Sequence, residues 1–283
     1  MNADRRSEAV LITGCSSGIG HATAEHLAKQ GHTVYATARR PDSIQDLEEH
    51  GCRLLALDVT DEASMAAAVK AVEEAEGAVG VLVNNAGYSQ SGAVESVPMD
   101  AVRRQFDTNV FGLVRMCQLV LPGMRAQHWG RIINISSMGG KVVFPGGGFY
   151  HGTKFAVEAI SDALRFEVKG FGVDVVIIEP GLIKTEFGTA AVSSLEPAAS
   201  DGPYTDFNNA VGSTTAGAYE GGGLARFGAG PEAVAKAIEK TIKRPRPRRP
   251  VTASARLMIG MRRLMPDSVW DRSMRSNFPQ PRA

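Results

Sequence analysis

The 283-residue chain is poor in cysteine, has no long apolar run, and contains no early stretch that reads as a linker. Its three cysteines, Cys15, Cys52 and Cys117, have no short paired spacing. That speaks against a disulfide framework and for a reducing compartment. The opening residues, MNADRRSEAV, lack the apolar stretch of a secretory signal, and runs such as 173–178 are far too short to span a bilayer. A cytoplasmic location is expected. The six histidines show no metal-ligand spacing, no cysteine pair suggests zinc, and no Walker-type phosphate loop occurs. No metal is expected.

What is present is 43% hydrophobic and 22% charged sequence, enough apolar material for a large core. The net charge of +1 conceals an asymmetry. From 243 onward, eleven Lys/Arg, the last at Arg282, face only Asp267 and Asp271. Residues 244–283 are therefore set apart as a basic extension, and 1–243 as one domain. The favoured reading of the extension is a flank that packs on the acidic body or on a neighbouring subunit. The alternative is an amphipathic helix at 252–265 that touches anionic lipid through Arg256, Arg262 and Arg263. Leu257, Met258, Met261, Leu264 and Met265 would form its apolar side. Gly260 and the short length count against that membrane contact. The extension lacks interleaved aromatics and any reading motif, so nucleic acid is not expected.

Apolar runs at 9–13, 33–38, 54–57, 79–83, 131–135 and 173–178 alternate with helical patterns at 18–30, 41–50, 61–76, 101–124 and 149–169. Short, nearly continuous apolar strands between helices imply a parallel sheet covered on both faces. The expected fold is a Rossmann-type, doubly wound α/β sheet of about seven strands in three αβα layers. After Pro180 the pattern fails: 182–230 is rich in Gly, Ser, Thr and Ala and reads as an irregular lid. Phe187, Leu195, Tyr204, Phe207 and Tyr219 are its candidate pocket-lining side chains. Helices are expected again at 231–243 and 252–265.

Between the first strand and helix stands TGCSSGIG, residues 13–20. Gly14, Gly18 and Gly20 would let the backbone approach a pyrophosphate and aim helix N–H groups at it. The spacing is GxxxGxG. At the end of the second strand, Ala38 is followed by Arg39 and Arg40, with no acid to bond a ribose 2′-hydroxyl. An arginine there suits a 2′-phosphate, so NADP(H) is expected, with Arg39 and Ser16 as phosphate contacts.

Tyr150 and Lys154 are four residues apart on a helical stretch and so share a face. A free phenol titrates near 10, too high for a good base at neutral pH. An adjacent ammonium, together with a cationic nicotinamide ring, would lower it, each unit requiring about 1.4 kcal/mol. Ser137 lies thirteen residues before Tyr150, just past an expected strand, where ligands of such sheets bind. His151 is adjacent to Tyr150, but neighbours on a helix are expected to point apart, and it is read as structural.

Taken together, these residues resemble the short-chain dehydrogenase/reductase family. The likeness runs from about residue 10 to 185. It rests on TGCSSGIG, Asp58-Val59, Asn84-Asn85-Ala86-Gly87, Asn109, Ser137, Tyr150 with Lys154, and Pro180-Gly181 followed by Thr185. The resemblance implies that Tyr150 exchanges a proton with the substrate oxygen while Ser137 hydrogen-bonds that oxygen. It implies that Lys154 bonds the nicotinamide ribose, and that Asn109 holds a water in the proton relay. Cofactor contacts would come from Gly14, Ser16, Ser17, Gly18, Ile19, Gly20 and Arg39, then from Asp58, Val59, Asn85, Ala86 and Gly87. Pro180, Gly181, Ile183 and Thr185 would flank the carboxamide, with Ile183 and Thr185 binding it.

The wording of the second strand, TVYATAR, is most similar to the hydroxysteroid and retinol dehydrogenase branch. That implies a bulky apolar alcohol or ketone that is steroid-, retinoid- or lipid-like. The resemblance also implies a homodimer or homotetramer paired through helices 101–124 and 149–169. A nucleotide-sensing regulator and a sugar-nucleotide epimerase are the rival readings. The Tyr–Lys pair opposes the first, and the glycine spacing opposes the second.

Overall fold

The computed structural model describes residues 6–195, 202–220 and 228–281. Arg282 and part of the 182–230 stretch, which the sequence singled out, lie outside them. Among the described residues seven parallel strands form one sheet in the order β3-β2-β1-β4-β5-β6-β7. The strands are β1 (Val10–Ile12), β2 (Val34–Ala38), β3 (Arg53–Ala56), β4 (Val81–Asn84), β5 (Gly130–Ile135), β6 (Val173–Glu179) and β7 (Arg248–Pro250).

Alternate side chains of each central strand feed opposite cores, as a pleated strand requires. Leu11, Leu82, Ile132 and Val175 enter one core with helices α2 (Glu62–Glu76), α4 (Gly112–Ala126) and α5 (Gly148–Glu167). Val10, Ile12, Val81, Val83, Ile133 and Val176 enter the other, with α1 (Gly18–Lys29) and α8 (Pro231–Lys243). Because both faces are buried, these strands read as unbroken apolar runs. The order reverses between β1 and β4, so their carboxyl ends open the crevice where ligands of such sheets bind.

Four features depart from the sequence reading. Residues 41–50 form a 3-10 segment with a kink at Ile44, ended by Gly51 in a left-handed conformation. The helix expected over 101–124 is split into α3 (Met99–Phe106), a wide π turn at Asp107–Phe111, and α4. The stretch 182–230 is not wholly irregular, since it contains α6 (Phe187–Ser193) and α7 (Thr205–Glu220). Their small residues pack without a large apolar stripe. A side-chain carbon on Gly188 would lie 2.5 Å from the Tyr219 ring, so these helices meet ring against backbone.

Finally, the sheet does not stop with 243. Arg248–Pro250 supplies its edge strand β7, and α9 (Ala253–Leu264) and α10 (Asp267–Met274) follow it. Arg248 enters the body by pairing with Glu158 at 2.5 Å and with Asp162, so this part of the basic segment does pack on acidic neighbours. No helix of the described residues is long and apolar enough to cross a membrane.

Candidate active site

A cleft of about 750 Å³ lies over the carboxyl ends of β1, β2, β4, β5 and β6. One end is built from backbone. Gly14 and Gly18 have φ of +73° and +59°, a region that favours glycine. A side-chain carbon on Gly20 would stand 2.2 Å from the Gly14 carbonyl, and one on Gly14 would stand 2.9 Å from Ala86 Cα.

The turn is tied to the end of β4. Asn85 Nδ2 donates to the Thr13 and Gly14 carbonyls at 3.0 and 2.8 Å, and Thr13 Oγ1 accepts the N–H groups of Asn85 and Ala86. Ser17, at the start of α1, caps no N–H with its side chain, and the first turn carries no acid. Those N–H groups remain available to an anion, so the cradle fits a pyrophosphate.

Gly14, Ser16, Ser17, Gly18 and Ile19 line this end, whereas Gly20 supports it from behind. Arg39 also lines the cleft, is exposed, and has no acidic partner among the described residues; Arg40 does not line it. Asp58 and Val59 border the same region. The Asp58 carboxylate is turned toward Thr60, accepting its N–H at 2.9 Å and its hydroxyl at 2.7 Å, while Asp61 caps α2.

The other end is built from side chains. The turn after β5 presents Ser137, whose Oγ accepts the Gly139 N–H at 3.0 Å and keeps its proton to give. Tyr150 lies in the first turn of α5, with Lys154 one turn on and 6% exposed. Lys154 Nζ donates to the Ile135 carbonyl at 2.8 Å and sits 5.8 Å from the centre of the Tyr150 ring. Burial pushes the Lys154 ammonium down to about 8, against the pull of Glu158.

The expectation that this amine lowers the phenol pKa is not met in the chain alone. Burial pushes Tyr150 above its ordinary value, and the opposing influence comes from the Ser137 hydroxyl. The ammonium is engaged by a carbonyl and lies by the ring, so it does little for a phenolate oxygen. Tyr150 is thereby held in its protonated form.

Asn109 stands in the π turn behind the cleft wall, almost fully buried. Its amide is already committed: Oδ1 accepts from Tyr88 N at 3.1 Å, and Nδ2 reaches the Tyr88 carbonyl and Thr153 Oγ1. A side-chain carbon on Gly87 would fall 3.1 Å from Asn109 Oδ1 and 3.8 Å from Lys154 Nζ. Glycine at 87 keeps the space between those two groups open.

Asn85, Ala86, Gly87, Pro180, Gly181, Ile183 and Thr185 all border the cleft. Of the lid aromatics, Phe187 stacks 5.4 Å from Tyr150, and Tyr219 lines the cleft beside it. Leu195, Tyr204 and Phe207 do not line the cleft. Leu195 sits by Gly212, the Tyr204 hydroxyl bonds Glu95 at 2.6 Å, and Phe207 packs against Phe278. His151 is structural as read: it bonds the Gly139 carbonyl at 3.1 Å, and burial pushes it down to about 4, hence neutral.

The profile of the short chain dehydrogenase family matches residues 8–195. The chain belongs to that family. The 3-ketodihydrosphingosine reductase of Bacteroides thetaiotaomicron is 46% identical over 179 residues, 63% of this chain. The match spans 65% of that relative's length. The NADPH-dependent 3-dehydrocapnine reductase of Ornithobacterium rhinotracheale is 35% identical over 275 residues, covering 93% of this chain and 94% of that protein. The crystal structure of a short-chain dehydrogenase from Streptomyces avermitilis superposes with a TM-score of 0.77 at 32% identity, over 96% of this chain and 98% of that one.

The chain also carries cleft residues that the sequence did not single out, among them Tyr88, Arg104 and Thr108. Their signal was weak because they sit on a loop and on α3 and its π turn, where ordinary surface residues look the same. Beneath the Tyr150 end lies a further buried group that went unread. Glu158, Glu179, Lys141 and Arg248 meet there, with Lys141 and Arg248 both on Glu158 Oε2 and Arg248 3.9 Å from Glu179.

Proposed function

We propose that this oxidoreductase reduces the ketone of a long-chain, lipid-like substrate at the expense of NADPH. The observation that carries the reading is the convergence of Tyr150, Ser137 and Lys154 on the cleft whose far end is the Gly14–Gly18 cradle. Gly14, Gly18 and the start of α1 would hold the pyrophosphate, with Arg39 and Ser16 on the 2′-phosphate. Asp58 and Val59 would border the adenosine, and Asn85, Ala86 and Gly87 the middle of the cofactor. Lys154 would hold the nicotinamide ribose, and Pro180, Gly181, Ile183 and Thr185 the carboxamide. The bound cofactor supplies the hydride and, once oxidised, a positive charge.

Tyr150, kept protonated by burial, is in the form that gives a proton to a carbonyl oxygen. Ser137, whose hydroxyl faces Tyr150, would orient that oxygen by donating its proton to it once the substrate is bound. Asn109 fixes the Tyr88 loop and borders the space a relay water would need. Phe187 and Tyr219 give the substrate end an aromatic wall.

Among steroid, retinoid and lipid-like substrates, the last is favoured because two relatives are named for ketones of long-chain lipid building blocks. The second of those is also named as NADPH-dependent. Three buried free cysteines accord with a reducing, cytoplasmic setting. The exposed Phe111, Phe155 and Phe166 on and beside α4 and α5 suit pairing into a homodimer or homotetramer.

The test follows nicotinamide absorbance with long-chain 2-amino-3-ketones, steroid ketones and retinal, using NADPH and NADH. Net NADPH consumption with the long-chain ketones, faster than with NADH, is expected. Turnover of steroid or retinal alone would redirect the substrate, and NADPH binding without consumption would favour a sensor.

A further inference from the structure

Helix α9 leaves part of itself uncovered. Ala255 is fully buried, and Met258 and Ile259 are half-buried. Leu257, Met261 and Leu264, spaced four and three residues apart, share the opposite face and are 63%, 43% and 86% exposed. Leaving large apolar side chains in water on one helix face calls for a partner.

The charges around the stripe specify which. Arg256 and Arg263, seven residues apart, run along one edge of it, exposed and without an acidic partner among the described residues. From 253 to 275 there are five arginines and two aspartates, and one of those, Asp267, is engaged by Arg262 at 2.5 Å. A second copy docking by two-fold symmetry would gather two such cationic edges around one apolar patch with no acid to offset them, because such an interface uses the same patch on both sides. An apolar stripe edged by cations is instead complementary to an anionic lipid surface.

The helix is also well placed. Its first turn closes on Gly181 at the cleft, where a side-chain carbon would meet Thr252 Oγ1 at 2.2 Å and Ala255 Cβ at 3.2 Å. The indole of Trp270 on α10 donates to the Val143 carbonyl at 3.2 Å, fixing the α9–α10 pair to the loop that follows Ser137.

We propose that α9 rests its Leu257–Met261–Leu264 face on an anionic membrane surface, making the protein a peripheral one. The binding claim is independent of the proposed reaction. Only its use, delivering an amphiphilic ketone to the adjacent cleft, rests on that reading.

The full chain is sedimented with vesicles of phosphatidylglycerol and phosphatidylcholine, and with phosphatidylcholine alone, in the absence of substrate and cofactor. Wild type is expected to pellet with the anionic vesicles at low salt, to be released by high salt, and to ignore the neutral ones. Leu257→Glu/Leu264→Glu and Arg256→Gln/Arg263→Gln should each lower the bound fraction at least about fivefold, with unchanged circular dichroism and unchanged mass by light scattering. Both leucines are exposed, so the fold tolerates the change. Wild type that stays in solution with anionic vesicles, or a leucine variant that pellets as well as wild type, overturns the proposal. So does a leucine variant whose only change is a smaller oligomer, which assigns the stripe to contact between copies. Because no arm uses turnover, failure of the substrate reading leaves this result unaffected.

Discussion

At the end of the cleft proposed for the dinucleotide the backbone makes the site. At the end proposed for the substrate aromatic and polar side chains make it. Gly14, Gly18 and Gly20 shape the first end by what they lack, and Thr13 and Asn85 lock the turn to β4. The second end is shaped by what fills it: Tyr150 under Phe187, Tyr219 behind Gly188, and Lys154 drawn to the Ile135 carbonyl. A backbone site fails on the addition of a single carbon, whereas a side-chain site can be retuned by exchange. A cofactor end of this kind can therefore stay constant while the substrate end is varied.

The largest effect should come from adding that carbon. Gly20→Ala places a methyl against the Gly14 carbonyl, and NADPH affinity is expected to fall roughly 100-fold, read by fluorescence titration. Near-normal affinity would break the contrast between the two ends. Next in size, Ala38→Asp with Arg39→Ala exchanges the cationic contact for an acid. A swing of about 30-fold toward NAD(H) in kcat/KM is expected from the worth of a charge-assisted hydrogen bond. Unchanged selectivity would remove Arg39 from the 2′-phosphate.

At the other end, Phe187→Ala should raise the ketone KM about tenfold and leave NADPH affinity alone, as loss of an aromatic wall contact does. A loss of NADPH affinity instead would show that the two ends are not separable.

The smallest effect concerns the buried group beneath them. Burial and the neighbouring Glu158 push Glu179 up to about 7, with Arg248 and Lys141 pulling it back. Between its ordinary value of 4.5 and about 7, the folded chain keeps a proton that the unfolded chain has released. Stability therefore falls as pH rises through that window. Glu179→Gln should erase this slope, melting roughly 2–4 °C above wild type at pH 8 and level with it at pH 5, by scanning fluorimetry. Equal melting temperatures at both would contradict the shift.

How far the molecule could be read in advance differed from element to element, not between the two ends. The glycine turn and the Tyr150–Lys154 pair are local patterns, each within one turn of chain, and their spacing carries geometry directly. The central strands were equally plain, since burial on both faces leaves an apolar run. The edge strand β7 was not legible, because Arg248-Arg249-Pro250 has no strand character of its own. Its place is fixed by Glu158 and Asp162, some ninety residues away. Helices α6 and α7 were hidden by small residues whose packing depends on Tyr219 meeting Gly188. The break at Asp107–Phe111 was hidden because a π turn leaves the hydrophobic period almost intact, though it is what turns Asn109 toward Tyr88. The basic segment divided: Arg248 packs on the body as read, while the apolar face of α9 does not.

The central claim is that Tyr150, and not the cofactor end, performs the proton transfer. Tyr150→Phe removes one oxygen from the substrate end, and the direct measurement pairs its NADPH affinity with its rate of ketone-dependent NADPH oxidation. The account predicts affinity within about twofold of wild type and turnover lower by roughly 1,000-fold. Turnover close to that of wild type would contradict it.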